Sequence, residues 1–162
     1  MSTLKETLSA EVPFSTTLLV RDNCLCLHVQ RAARALARRF DDALRPVGLT
    51  NGQFSLLMSL NRPDAPGVPR ATMRSVAELL GMDRTTLTAA ARVLFERGLL
   101  VVEPEPGDRR NKVLKLTAEG RRVLAMAVPI WKREHAAIEK GLGQAGAERL
   151  RGDLNQAAQL AG

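Results

Sequence analysis

At 162 residues the chain is long enough for one domain with an ordinary core, and a hydrophobic share of 45% excludes a disordered polymer. The formal net charge of +7 favours a polyanionic partner, while aromatics make up only 3% with no tyrosine, which leaves Phe40, Phe54, Phe95 and Trp131 as the expected packing anchors. Lys5, Glu6 and Glu11 interrupt the N-terminal stretch, no apolar run approaches membrane-spanning length, and the two cysteines form a single CxC; these exclude a signal peptide, a membrane protein and a secreted disulfide scaffold, and make a reducing cytoplasm the expected location.

Residues 1–20 lack sustained periodicity and predict a flexible arm, irregular or partly helical. From Asp22, the near-heptad spacing of Leu25, Val29, Ala32, Leu36, Phe40 and Ala43 predicts one long helix, ending where Pro46 holds Arg45 out of the helical region. Its other face carries Arg31, Arg34, Arg38 and Arg39, a solvated surface or a set of intersubunit partners. On such a helix Cys24 and His28 share a face and Cys26 points away, so the three cannot converge on a metal, and the thiols read as small buried apolar groups at a subunit seam. Thr50 and Gln53 stand at capping-box spacing and open a second helix through Phe54, Leu56, Leu57, Met58 and Leu60, apolar enough to be buried. Four residues of Pro and Gly between Asn61 and Arg70 forbid helix there, and Ala71 to Met73 reads as an extended piece able to pair as a third strand.

The informative stretch is Ser75 to Leu116. Val76, Leu79 and Leu80 predict one side of a short helix, Gly81 supplies its left-handed exit, and Asp83 is placed to cap the next helix. In that helix Leu87, Ala90, Ala91 and Leu94 should face inward, leaving Arg84, Thr85, Thr88, Ala89 and Arg92 outside. Arginines, hydroxyls and a methyl match what a recognition helix presents to base edges in a major groove. Gly98 then ends the helix, and Leu99–Val102 and Val113–Leu116 predict two strands joined across Glu105-Pro106-Gly107-Asp108-Arg109-Arg110, a basic tip suited to a narrow minor groove. Thr117 caps a long helix through Val123, Leu124, Ala127, Ile130, Trp131 and Ile138, which Pro129 should kink and Gly141 and Gly143 should end. A last helix, Ala145–Leu160, lines up Leu150, Leu154, Ala157 and Leu160. Such apolar terminal helices need a second copy of the chain to cover them.

The string from Leu79 through Gly81, Asp83 and Arg84 to Thr88, the segment Leu94-Phe95-Glu96-Arg97-Gly98-Leu99, the triplet Asp108-Arg109-Arg110 and the run Leu116–Gly120 resemble the winged-helix domain of the MarR family of bacterial transcription regulators. The resemblance implies a mainly α fold with a small β wing. A winged helix-turn-helix DNA-binding domain would occupy 48–116, between N- and C-terminal dimerisation helices at 21–47 and 117–162. It also implies a homodimer on a pseudo-palindromic operator, released by a small organic ligand or by thiol oxidation. One arginine of the wing tip would enter the minor groove while Asp108 makes an internal ion pair. Asp22 to Leu27 is similar to the start of the first helix in the peroxide-sensing OhrR branch, where Cys26 would match the reactive thiol, although the tyrosines that activate it there have no counterpart.

The DNA-binding candidates are therefore Arg84, Thr85, Thr86, Thr88, Arg92, Arg109 and Arg110, with Thr86 also placed for a phosphate, Arg92 placed for a phosphate or for Asp108, and Asp108 positioning the wing. His28, Arg31, Phe54, Met58 and Trp131 are the candidate walls of a ligand pocket, whose arginine would suit an aromatic carboxylate. The expected function is a dimeric repressor bound to double-stranded DNA, with peroxide sensing through Cys26 or a protein-binding winged helix as the alternatives. No enzyme, cofactor, metal or membrane partner is expected. His28 and His135 lack a nucleophile or carboxylate at informative spacing, and the chain has no glycine-rich phosphate loop and no HExxH.

Overall fold

The computed structural model describes residues 11–161, so the expected arm is only partly covered: residues 1–10 lie outside the described residues. The described chain runs α1 (Phe14–Asn23), α2 (Leu25–Leu44), a single turn of 3-10 helix (Arg45–Val47), α3 (Asn51–Ser59), α4 (Met73–Leu80), α5 (Arg84–Glu96), β1 (Leu100–Glu105), β2 (Asp108–Leu116), α6 (Ala118–Leu142) and α7 (Gln144–Ala161). It divides into two units at Ala37 and Arg38.

The first unit corrects the expectation of one helix starting at Asp22. Helix begins at Phe14 and breaks at Cys24, whose ψ of 107° is extended. Asn23 turns its amide back onto the Leu19 carbonyl (2.9 Å), the local competition that makes asparagine a poor helix interior residue. Cys24 then opens α2: its carbonyl accepts from the His28 N–H (3.1 Å) and its sulfur from the Leu27 N–H (3.4 Å). Phe14, Leu19, Leu25, Val29 and Leu36 are all exposed on this unit.

The second unit holds the core. Phe40, Leu44, Leu56, Leu57, Val76, Leu87, Leu94, Leu100, Leu114, Leu124 and Ala127 are buried together. The capping box at the start of α3 forms as spaced, with Gln53 N–H on Thr50 Oγ1 (3.2 Å) and Thr50 N–H on Gln53 Oε1 (3.1 Å). Residues 61–70 contain no helix, and α4 starts at Met73 rather than Ser75 because Thr72 accepts the Ser75 N–H. The expected third strand shrinks to one bridge, Thr72 to Val113, since Thr72 is already the helix cap. Three apolar expectations also fail: Leu79, Phe95 and Met58 are exposed on this chain, at 65%, 52% and 39%. On α4 it is Val76, with Ala77 and Leu80 beside it, that meets the core, so Leu79 falls on the flank.

The wing strands pair antiparallel from Leu100 against Leu116 to Pro104 against Lys112, with a bulge before Glu105 meets Asp108. They are longer than expected, and Arg109 and Arg110 stand on β2 rather than in the turn, which is only Pro106-Gly107, with Gly107 at φ 89°. Thr117 caps α6 (Gly120 N–H to Oγ1, 2.9 Å) and donates to the Gly98 carbonyl (2.7 Å), which fixes the start of α6 against the end of α5. Helix α6 continues through Pro129 and Gly141 to a left-handed-φ Gly143. Of the last helix only Ala147 is buried, and Leu150, Leu154 and Leu160 are exposed.

Candidate nucleic acid interface and apolar pocket

Between α4 and α5, Gly81 takes φ 63° and its N–H closes on the Ala77 and Glu78 carbonyls. Two residues later Asp83 caps α5 with both oxygens: Oδ1 accepts the Thr86 N–H (2.8 Å) and Oδ2 accepts the Thr86 hydroxyl (2.7 Å). Those bonds, the hydroxyl's first, hold the Asp83 carboxyl below its ordinary range. Leu87, Ala91 and Leu94 pin the inner face of α5, so Arg84, Thr85, Thr86, Thr88, Ala89 and Arg92 all reach solvent. The Thr88 hydroxyl donates to the Arg84 carbonyl (2.7 Å).

Asp108 makes no ion pair with Arg92. Arg92 instead holds Glu96 one turn along the helix (2.8 Å), the cheaper partner because an i,i+4 pair needs no distant element to be placed. Asp108 turns inward on its own strand, accepting the Arg110 N–H on Oδ1 (3.0 Å) and the Asn111 amide on Oδ2 (3.1 Å). Arg109 and Arg110 are exposed. Among the described residues no carboxylate lies within salt-bridge distance of Arg84, Arg109 or Arg110.

Two supports were not visible as motifs. Arg97 reaches from the end of α5 to the Gly48 carbonyl (2.8 Å) and to Gln53 Oε1 (3.2 Å), tying α5 to the entrance of α3. Lys115 on β2 bridges Glu103 (3.1 Å) and Asp64 (3.3 Å), which raise its pKa and join the base of the wing to the loop at 61–70. Neither has a local signal in the sequence, since the partners lie 44 to 51 residues apart except for Glu103.

Of the five ligand-wall candidates, the structure brings three together. Phe54, Met58 and Trp131 line an open apolar pocket of about 490 Å³ with Leu79, Leu80 and Lys132, residues the sequence did not single out for it. Trp131 stacks between Phe54 (ring centroids 6.1 Å) and His135 (4.6 Å). His28 and Arg31 belong to the other unit, where both are exposed, and His28 Nδ1 bonds the Cys24 carbonyl (2.8 Å). Cys26, expected to be buried, is exposed on this chain, and its sulfur accepts from the Gln30 amide (3.2 Å); Cys24 is half-buried. Among the described residues no three metal-ligating side chains converge, and no helix is long and apolar enough to cross a membrane.

Residues 47–111 match the sequence profile of the MarR family. Over 100 residues, 62% of this chain, the sequence is 35% identical to the transcriptional regulator HosA of Escherichia coli O127:H6 (strain E2348/69 / EPEC), and the match covers 68% of that protein. With HosA of Escherichia coli O111:H- it is 37% identical over 82 residues, and there the chain spans only 57% of the relative's length. Its fold is similar to that of the M. tuberculosis transcriptional regulator MosR in complex with DNA, at TM-score 0.75 and 38% identity, over 85% of this chain and 96% of the other. The transcriptional repressor CouR bound to a 23-mer DNA duplex superposes at TM-score 0.72 and 29% identity, over 92% and 99%. CouR bound to p-coumaroyl-CoA does so at 0.71 and 28%, over 86% and 94%.

Proposed function

The chain belongs to the MarR family, and on that premise we propose that it is a sequence-specific DNA-binding transcriptional regulator, a homodimeric repressor released from its operator by a small organic ligand. The observation that carries the reading is the exposed face of α5 with the arginines of β2 beside it in the same unit. In this reading 48–116 is the DNA-binding part and 21–47 with 117–162 the dimerisation part. Arg84, Thr85, Thr88 and Arg92 face a major groove while Arg109 or Arg110 follows the minor groove, where a guanidinium is drawn by shape and potential. Two such helices, one per subunit, would enter successive grooves roughly 10 bp apart. The cytoplasm is the compartment where this activity would be exercised.

The pocket is the candidate ligand site. Its aromatic stack suits a flat apolar body, and the Lys132 ammonium at its edge suits an anionic group. Leu79 and Leu80 place the end of α4 in the pocket wall, one glycine and two residues before α5 begins, so an occupant that displaces α4 also displaces the recognition helix. A DNA-bound and a p-coumaroyl-CoA-bound form both exist for the related CouR, which supports a ligand-controlled reading here. A second signal is favoured by one observation, the exposed Cys26 thiol with an amide donor on its sulfur, which would make it the site of peroxide sensing. The relatives that the chain matches are transcriptional regulators.

Nuclease footprinting on DNA flanking the chain's own gene, repeated with aromatic acids, with their CoA thioesters and with peroxide, tests the whole reading. Expected is a protected site with two-fold symmetry that one of these additions reopens. Absence of protection at every protein concentration up to non-specific coverage overturns it.

A further inference from the structure

The direction in which two threonines spend their protons on α5 carries a consequence for base choice. An ionised carboxylate only accepts hydrogen bonds, so in the 2.7 Å contact between Asp83 Oδ2 and Thr86 Oγ1 the proton belongs to the threonine. A peptide carbonyl also only accepts, so in the 2.7 Å contact between the Arg84 carbonyl and Thr88 Oγ1 the proton is again the threonine's. Each hydroxyl has one proton, and both are committed within the protein. What remains on their exposed side is oxygen lone pairs and a methyl group. Thr85, by contrast, makes no side-chain hydrogen bond among the described residues, and Arg84 presents only donors.

Resting on the DNA-binding reading, we propose that Asp83 and the Arg84 carbonyl make Thr86 and Thr88 acceptor-only groups. The chain would then select amino-bearing bases, adenine through N6 or cytosine through N4, opposite these two residues. Phosphate oxygens and the guanine N7 and O6 edge offer no proton to such a group, so Thr86 is not the phosphate contact that its place at a helix N-terminus suggests. Thr88 acts on DNA directly; Asp83 is a positioning residue that sets the polarity of Thr86. Substituting Asp83→Asn makes the distinction sharp. The amide oxygen still caps the Thr86 N–H, but the amide nitrogen donates to Thr86 Oγ1 and frees the hydroxyl proton to point outward.

The test is selection by the full-length chain from a randomised duplex library, read by sequencing, for the wild type and for Asp83→Asn, Thr86→Val and Thr88→Val. The wild type should enrich a symmetric consensus with a fixed base pair at two positions per half-site, its adenine or cytosine supplying the amino group. Thr86→Val and Thr88→Val should each lose that preference at one position, by about tenfold, the scale of one base contact. Asp83→Asn should change the preferred base pair at the Thr86 position alone, and adding Thr86→Val should abolish the change. A consensus that both valine variants leave intact, or an affinity unchanged when purine replaces the adenine or 2-pyrimidinone the cytosine of those base pairs, overturns the inference while the DNA-binding reading stands. No enrichment by the wild type overturns both. Should a valine variant not fold, the DNA is changed instead: wild type is titrated with its consensus duplex carrying purine for adenine or 2-pyrimidinone for cytosine at the assigned position. The same loss of about tenfold is expected, and unchanged affinity overturns the proposal.

Discussion

Gly120 stands where no side chain fits: a Cβ there would lie 1.9 Å from the Leu99 carbonyl oxygen, which is backbone and cannot swing aside. Gly120→Ala must therefore push α6 off the start of β1 and lower stability by about 1–3 kcal/mol or more, the usual range for overpacking a core. A drop of several degrees in the thermal midpoint checks it, and Gly152→Ala, with open space around its site, should show none. At the wing, Arg110→Ala should weaken duplex binding and flatten the dependence of log K on log salt by about 0.9, one counterion's worth. Fluorescence anisotropy across a salt series reads both numbers, and an unchanged slope removes Arg110 from the interface. The Asp108 pairing shows how residue-level reading goes astray. Arg92 stood as a candidate for a phosphate or for Asp108, a distant partner, while Asn111 and the Arg110 N–H were three residues away or fewer.

Elements were legible in proportion to how local their signals are. The caps at Thr50, Asp83 and Thr117 form as spaced because each is a three-residue arrangement closed by the chain itself. Thr117→Ala removes one such cap together with the Gly98 contact, and a loss of about 1 kcal/mol in urea unfolding is the expected outcome. The break at Cys24 was illegible because apolar spacing carries no mark of a single extended residue, and Arg97 was illegible because its partners lie 49 and 44 residues away. The same holds for Glu134 on α6, which meets Arg133 beside it and Arg39 on α2, both at 3.1 Å. Those two guanidinium groups hold the Glu134 carboxyl below the ordinary range, Arg133 contributing most. A depressed folded-state pKa means the stabilisation is complete above the unfolded value, near about 4.3, and is lost as pH falls through the folded one. The thermal midpoints of wild type and Glu134→Gln should thus differ at neutral pH and converge on acidification below about pH 4. A gap that stays constant from neutral to acidic pH removes the ion pairs as its cause.

At the scale of the molecule, the described chain leaves large apolar side chains uncovered along α7 and along the first unit. Leu150, Leu154 and Leu160 follow one another along α7, with Leu142 exposed at the end of α6 beside it, and Phe14, Leu19 and Leu25 are bare on the first unit. Leucine at helical intervals marks these faces as apolar in the sequence and calls for a second copy of the chain; the fold shows which leucines found no partner within this one. A two-fold assembly that pairs these helices would convert them from a solubility liability into the device that sets the distance between two copies of α5. Leu154→Arg puts a charge into that seam without touching α5 or the wing. Expected is a shift from dimer to monomer by light scattering, with the circular dichroism of the fold kept. Affinity for a two-half-site duplex should fall about a hundredfold or more, because the second recognition helix is no longer delivered by the first. Affinity for an isolated half-site should stay close to the wild-type value, since one subunit's contacts are intact. A Leu154→Arg chain that remains dimeric would move the subunit seam away from α7 and leave its leucines without an explanation.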